Sequence, residues 1–259
     1  MRLSFDQIKE ITVGSLLTEE RDGSVHFNKC TPKQVEAWYA KSEVLGQRSL
    51  CTTGVRLDFH TNSQNLSFRA TSGKKYEAHV DGLIHHVFRP CVPETVSCKL
   101  CGHLGETQEE YRVTLVLPSH EVGALEFIEL DDGAYVRPHE FDRKMLFIGD
   151  SITQGWESSL DSYSYAYRVS AFYNANSVIQ GIGGAYYNED SFDTLDFDPD
   201  TVFVAYGTND FGHYKTYDDL KAHCKAHLSL IADAYRGKRI FVISPIWRDK
   251  REGKAMGIH

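Results

Sequence analysis

Three short polar turns hold the residues whose types could do chemistry, and each follows an apolar run. Met145-Leu146-Phe147-Ile148 stops on Gly149-Asp150-Ser151-Ile152-Thr153-Gln154-Gly155. Val178-Ile179 leads into Gln180-Gly181-Ile182-Gly183-Gly184-Ala185, and Val202 to Tyr206 leads into Gly207-Thr208-Asn209-Asp210. A four-residue apolar run between Lys144 and Gly149 fits a parallel strand covered on both faces. Ser151 then stands at the carboxyl end of a strand, where open α/β sheets place their ligands. A helix starting near Ser151 would present unpaired N–H groups and the positive end of its dipole, which suits a serine nucleophile. Glycines let a backbone N–H approach a ligand, and an Asn side chain adds a neutral donor, so Gly184 and Asn209 could hold an oxyanion. Taken singly, each feature has a plainer reading: Asp150 or Ser151 as a helix cap, the glycines as tight turns, Asn209 as an Asx-turn or cap.

Those residues need elements to position them, and the chain changes grammar to provide them. From Leu50 the apolar residues alternate with period two: Val55, Leu57 and Phe59, then Leu66, Phe68 and Ala70, then Tyr76, Ala78 and Val80. Asp81-Gly82 predicts a hairpin into Leu83 to Phe88, and alternation returns at Tyr111 to Leu117 before a last strand at Leu125 to Leu130. Such half-buried short strands predict an all-β domain, a β-sandwich of the jelly-roll sort, over residues 1–142. Thr31-Pro32 starts a helix through Gln34 to Tyr39 within it. From 143 to 259 strands alternate with helices: strands at Met145 to Ile148, Ser177 to Gln180, Thr201 to Tyr206 and a fourth buried one at Arg239 to Pro245. The helices fall at Tyr163 to Tyr173 and Asp218 to Tyr235, the latter capped by Thr216 and stopped by Gly237. This order predicts an α/β fold with a three-layer, doubly wound parallel sheet.

Together the three turns resemble the SGNH (GDSL-like) serine hydrolases. Gly149-Asp150-Ser151 with Thr153 and Gly155 looks like the first block of that superfamily, the glycine turn ending at Gly184 like the second, and Gly207-Thr208-Asn209-Asp210 like the third. The resemblance spans Lys144 to Trp247 and implies a flavodoxin-like sheet and a serine esterase. Ser151 would be the nucleophile, with its own N–H, that of Gly184 (or Gly183) and the Asn209 side chain forming the oxyanion hole. The preceding β-rich stretch resembles the two-domain carbohydrate esterases, which implies acetyl esters on a sugar or glycan. Tyr186, Tyr187, Trp156 and Trp247 could then form an aromatic platform, although aromatics at strand ends more often pack.

The superfamily also implies an Asp-x-x-His turn near the C-terminus, and the chain reaches His259 without one. The single Asp-x-x-His, Asp210 to His213, belongs to the third block and reads as coincidence. Two expectations follow: a serine esterase, truncated or otherwise, or a catalytically inactive carbohydrate-binding protein of the same fold. A serine without a base is a weak nucleophile.

The balance of Asp+Glu 36 against Lys+Arg 28 leaves net charge −8 in 259 residues, which disfavours nucleic acid or an anionic membrane as partner. The N-terminus carries acids early and has no long apolar stretch, so neither a signal peptide nor a membrane span is expected. Six scattered cysteines fit a reducing cytosol. Cys91, Cys98, Cys101 and His103 have zinc-ligand types, but without a second Cys-x-x-Cys no metal is expected, and His85-His86 point to opposite faces of a strand. No organic cofactor is called for.

Overall fold

The period-two alternation from Val55 onward becomes two antiparallel sheets that share one core. The structure, a computed structural model, describes residues 1–246. Its N-terminal strands are β1 (Thr12–Val13), β2 (Leu17–Arg21), β3 (Ser24–Asn28), β4 (Arg56–Thr61), β5 (Asn65–Ser72), β6 (Tyr76–Val80), β7 (Leu83–Phe88), β8 (Glu94–Lys99), β9 (Tyr111–Val116), β10 (Ala124–Leu130) and β11 (Arg137–Pro138). One sheet runs β1-β4-β9-β6-β7 with β11 on β4, the other β2-β3-β10-β5-β8. Leu57, Phe59, Ala78 and Val113 of the first sheet meet Phe27, Leu66, Phe68 and Ile128 of the second in a buried cluster. Asp81 and Gly82 both take positive φ, as the Asp-Gly turn between β6 and β7 requires. Strand β8 carries Cys98 and was not expected from the sequence; its residues alternate between exposed and half-buried at a sheet edge, so no apolar run announces it.

The second half builds a four-stranded parallel sheet from β12 (Arg143–Gly149), β13 (Ala175–Gly181), β14 (Thr201–Ala205) and β15 (Arg239–Val242), in the order β13-β12-β14-β15. This is the flavodoxin-like order, with the crossover direction reversing beside β12. The helices are α1 (Phe5–Glu10), α2 (Pro32–Lys41), α3 (Glu43–Ser49), α4 (Ser151–Gln154), α5 (Tyr165–Phe172), α6 (Asp210–His213) and α7 (Tyr217–Ala234). Thr31 and Gln34 cap α2 reciprocally, and Thr216 accepts from the Asp219 amide at the start of α7, as their sequences require. One departure concerns β15: among the described residues the expected fourth buried strand pairs only with β14 and is covered by no other element, so Phe241 and Val242 are about half exposed.

Strand β12 has two apolar faces, and they reach different partners. Leu146 and Ile148 pack with Ile231 of α7 and with Trp38 and Leu45 of α2 and α3. The helical segment within 1–142 therefore serves the parallel sheet. Met145 and Phe147 pack with Ala166 and Tyr167 of α5 and with Val116 of β9.

That last contact explains a second departure. The polar residues alternating on β4 and β6, expected to face water, are buried: Arg56 is 4% and Asp58 1% exposed, and Glu77 is fully enclosed. Their sheet lies against the α/β unit. Arg56 donates to the Ala175 carbonyl at 2.7 Å, while Glu77 accepts from the Asp161 amide and the Ser162 hydroxyl, each at 2.6 Å. Asp58 receives both Nε and Nη2 of Arg112 at 2.9 Å and Nε of Arg56 at 3.3 Å. Burial pushes the Asp58 carboxyl up, but the Arg112 hydrogen bonds and the Arg56 charge outweigh it and hold the group below the ordinary carboxylate range.

Asp58→Ala should cost about 3–5 kcal/mol in urea unfolding at neutral pH, since it strands buried guanidinium charge; a loss below about 1 kcal/mol would class the pair with surface bridges. A lowered folded pKa gives stability present above the unfolded value of about 3.9 and lost as pH falls below it. The wild-type chain should therefore lose stability more steeply below about pH 4 than Asp58→Asn does, as followed by thermal unfolding against pH.

Candidate active site

Parallel pairing sets the three functional turns at one level, because Gly149 lies opposite Gly181 on one side and Ala205 on the other. The turns at 149–155, 180–185 and 207–210 therefore leave the same edge of the sheet together. Two of the glycines are needed for close approach. A side-chain carbon at Gly149 would lie 2.1 Å from Thr153 Oγ1 and 2.7 Å from the Ala205 carbonyl, and one at Gly181 would lie 2.4 Å from the Gln154 amide nitrogen. The first turn of α4 can sit directly on β13 only because they are glycine.

Ser151 opens α4 and is half-buried at the sheet edge. Asp150 caps the helix, its Oδ1 accepting from the Ile152 amide at 2.9 Å, so the plain reading of that residue holds beside the functional one. The helix is a single turn, ended by Gly155 in the left-handed region. It therefore offers individual amides near Ser151 rather than the sizeable dipole of a long helix. No described residue hydrogen-bonds the Ser151 hydroxyl.

The glycine turn distinguishes its two candidates. Gly183 donates its N–H to Gln154 Oε1 at 2.6 Å and is spent, whereas the Gly184 N–H makes no hydrogen bond with a described residue. Gly184 takes φ +87°, which aims its amide in a direction other residues rarely adopt. Asn209 is not the cap it could have been. Its side chain makes no capping bond to α6 and reaches across to donate Nδ2 to the Ala185 carbonyl at 2.9 Å, leaving that nitrogen's other hydrogen unspent. Gly184 and Asn209 line the same open cleft, with Arg48 on its wall.

Asp210 and His213 do not form a dyad. The Asp210 carboxylate accepts from the amides of Tyr187 and Gly207, both at 2.9 Å, while the His213 ring stacks on Tyr186 with centroids 3.6 Å apart. Burial lowers the His213 pKa, as do the charges of Lys41 and His223. Of the aromatic platform, Tyr186 and Tyr187 are buried and pack in the core, although Tyr186 also edges the cleft. Trp156 is 43% exposed and available; Trp247 lies outside the described residues.

Two positioning residues were not singled out from the sequence. Gln154 also receives the Trp156 indole N–H at 3.0 Å and donates to the Ser119 carbonyl at 2.8 Å, tying the first and second turns to the antiparallel half. Arg48, from α3, donates to the Gly183 carbonyl at 2.7 Å and lies over the Trp156 ring. Gln154 sits inside the first block, so its position was a clue; Arg48 is about a hundred residues away and carried none. Among the described residues no three His, Cys, Asp or Glu side chains gather as a metal site, all six cysteines are free, and no helix is long and apolar enough to cross a membrane. Gln154→Leu leaves the buried Gly183 amide without its acceptor and should lower the unfolding free energy by about 1–3 kcal/mol in a denaturant titration.

Comparison with known proteins agrees with this geometry. Residues 147–256 match the GDSL-like lipase/acylhydrolase family. No curated protein sequence matches the chain. Among solved structures, the fold is similar to the salicylyl-acyltransferase SsfX3 of a tetracycline biosynthetic pathway (TM-score 0.75, 18% identity, 88% of this chain and 70% of that one). It is also similar to a family two carbohydrate esterase from Clostridium thermocellum (TM-score 0.62, 19% identity, 77% and 74%). An acetyl xylan esterase from Butyrivibrio proteoclasticus gives TM-score 0.56 at 17% identity over 75% and 74%. The matched residues 147–256 hold all three turns, which stand in the order of the GDSL-like lipase/acylhydrolase family and leave one sheet edge.

Proposed function

We propose that this chain is a serine esterase acting on small acyl esters, most simply acetyl groups carried by a carbohydrate. The observation that carries the reading is the convergence of Ser151, the unspent Gly184 amide and the unspent Asn209 hydrogen on one sheet edge. In this reading Ser151 Oγ attacks the ester carbonyl, and the developing oxyanion is held by the Ser151 and Gly184 amides and Asn209 Nδ2. The carbon–oxygen bond to the alcohol breaks, the serine proton ends on the departing alcohol, and water hydrolyses the acyl-enzyme. The carbohydrate assignment draws support from the folds of a carbohydrate esterase and an acetyl xylan esterase, and from a β-rich first half that we read as a jelly-roll-like module over 1–142. Trp156 would offer a face to a sugar ring. Free cysteines fit a reducing compartment such as the cytosol.

A second reading is favoured by one specific observation. No described histidine hydrogen-bonds the Ser151 hydroxyl, as a carbohydrate-binding protein with a vestigial serine would have it. The two readings separate in one assay of chromogenic acetyl ester hydrolysis. The esterase reading expects Ser151→Ala to abolish turnover and Asn209→Ala to lower kcat by about 10² to 10³ with KM little changed. Equal slow rates in wild type and Ser151→Ala, with retained glycan binding, would select the binding protein.

A further inference from the structure

The interface between the antiparallel half and the α/β unit is not closed throughout. At the start of β13 it opens into a cleft lined by Arg56, Asp58, Arg112, Thr114, Tyr167 and Arg168, among others. It lies at the opposite end of β13 from Gly181, roughly 20 Å away by strand rise, so it is separate from the Ser151 edge.

Its hydrogen bonding is unevenly spent. Arg56 uses Nε on Asp58, Nη2 on the Ala175 carbonyl and Nη1 on Ser177. Arg112 uses Nε and Nη2 on Asp58, and its Nη1 bonds to no described residue. The Arg168 guanidinium is exposed and joined to no described residue by hydrogen bond or ion pair. Thr114 and Tyr167 are more than nine-tenths buried, yet neither hydroxyl makes a hydrogen bond with a described residue. The cleft thus keeps N–H and O–H donors that no described residue uses.

Charge runs the same way. The lining itself holds three guanidinium groups against the one carboxylate of Asp58; the nearby Glu77 is already held by His79, Ser162 and the Asp161 amide, and Asp81 accepts from the Arg112 amide. Arg56 and Arg112 are paired with Asp58, so the charge left over is that of Arg168, which stands exposed at the cleft and can meet an anion. This surplus stands in a chain whose net charge is −8, so it is a local feature and not a reflection of overall composition.

We propose that this interface cleft is a binding site for a small oxyanion, a carboxylate or phosphate group gripped by Arg112 and Arg168 with the Thr114 and Tyr167 hydroxyls completing its hydrogen bonds. Arginine forks match the two oxygens of such groups, and neutral hydroxyl donors orient them. Because both halves of the chain contribute, occupancy clamps the interface and raises thermal stability.

The test is calorimetric titration and thermal unfolding of the full chain with inorganic phosphate, D-glucuronate and uncharged glucose. The site predicts saturable binding and a raised Tm with phosphate, glucuronate or both, and none with glucose. Phosphate alone would identify a phosphate ligand, and glucuronate alone an organic carboxylate. Arg168→Glu, which breaks no contact with a described residue, should weaken binding by about tenfold or more, equivalent to losing one charge-assisted hydrogen bond. Arg168→Lys should retain part of it, and Lys9→Glu, an equal charge change on α1, should leave it intact. Ser151→Ala should bind as wild type does. Absence of binding to both anions, or binding unaltered in Arg168→Glu, overturns the proposal.

Discussion

The register of the parallel sheet is the constraint on which the site depends. Side chains far apart in sequence, at 151, 184 and 209, can converge only if their three strands end level, and Gly149 opposite Gly181 and Ala205 makes them do so. A slip of one residue in any strand would turn its loop away and invert its buried face. That register is held by two-sided burial: Leu146 and Ile148 fit one core, Met145 and Phe147 another, and neither set can be exchanged without exposing apolar surface.

The layers that enforce this burial come from the whole chain. α2 and α3 cover one face although in sequence they lie between the antiparallel strands β3 and β4, and the outer face of the β4-β9-β6 sheet covers part of the other. The second contact is polar, built on Arg56, Asp58 and Glu77, and so specifies alignment where apolar packing alone would tolerate sliding. It continues toward the reactive edge: Asp161 accepts from the Ser119 amide, the Ser119 carbonyl accepts from Gln154, and Gln154 holds the Gly183 amide. The antiparallel half thus supports the turn that presents Gly184.

What could be read in the sequence follows from which physical signals are local. The four apolar residues before Gly149, the Asp-Gly hairpin and the Thr216 cap are local patterns, and each appears where expected. The Ser151, Gly184 and Asn209 turns were legible because each directly follows its strand. Side chains engaged across the interface were not legible: Arg56 and Asp58 alternate as solvent-facing residues would, and only the packed α/β unit buries them. Arg48 reaches the site from a separate helix for the same reason. β15 shows the converse, since its apolar composition suggested burial that its neighbours among the described residues do not supply. The choice between Gly183 and Gly184 needed the Gln154 hydrogen bond, which no spacing rule encodes.

The central claim is that Ser151 is a nucleophile placed beside an oxyanion hole. The most direct measurement is intact-mass analysis after incubation with a serine-directed fluorophosphonate, whose tetrahedral phosphoryl oxygen needs the same donors as the ester oxyanion. The account predicts one adduct per chain, mapped to the peptide containing Ser151, absent in Ser151→Ala and formed more slowly in Asn209→Ala. An unlabelled chain, or label on another residue, would contradict it.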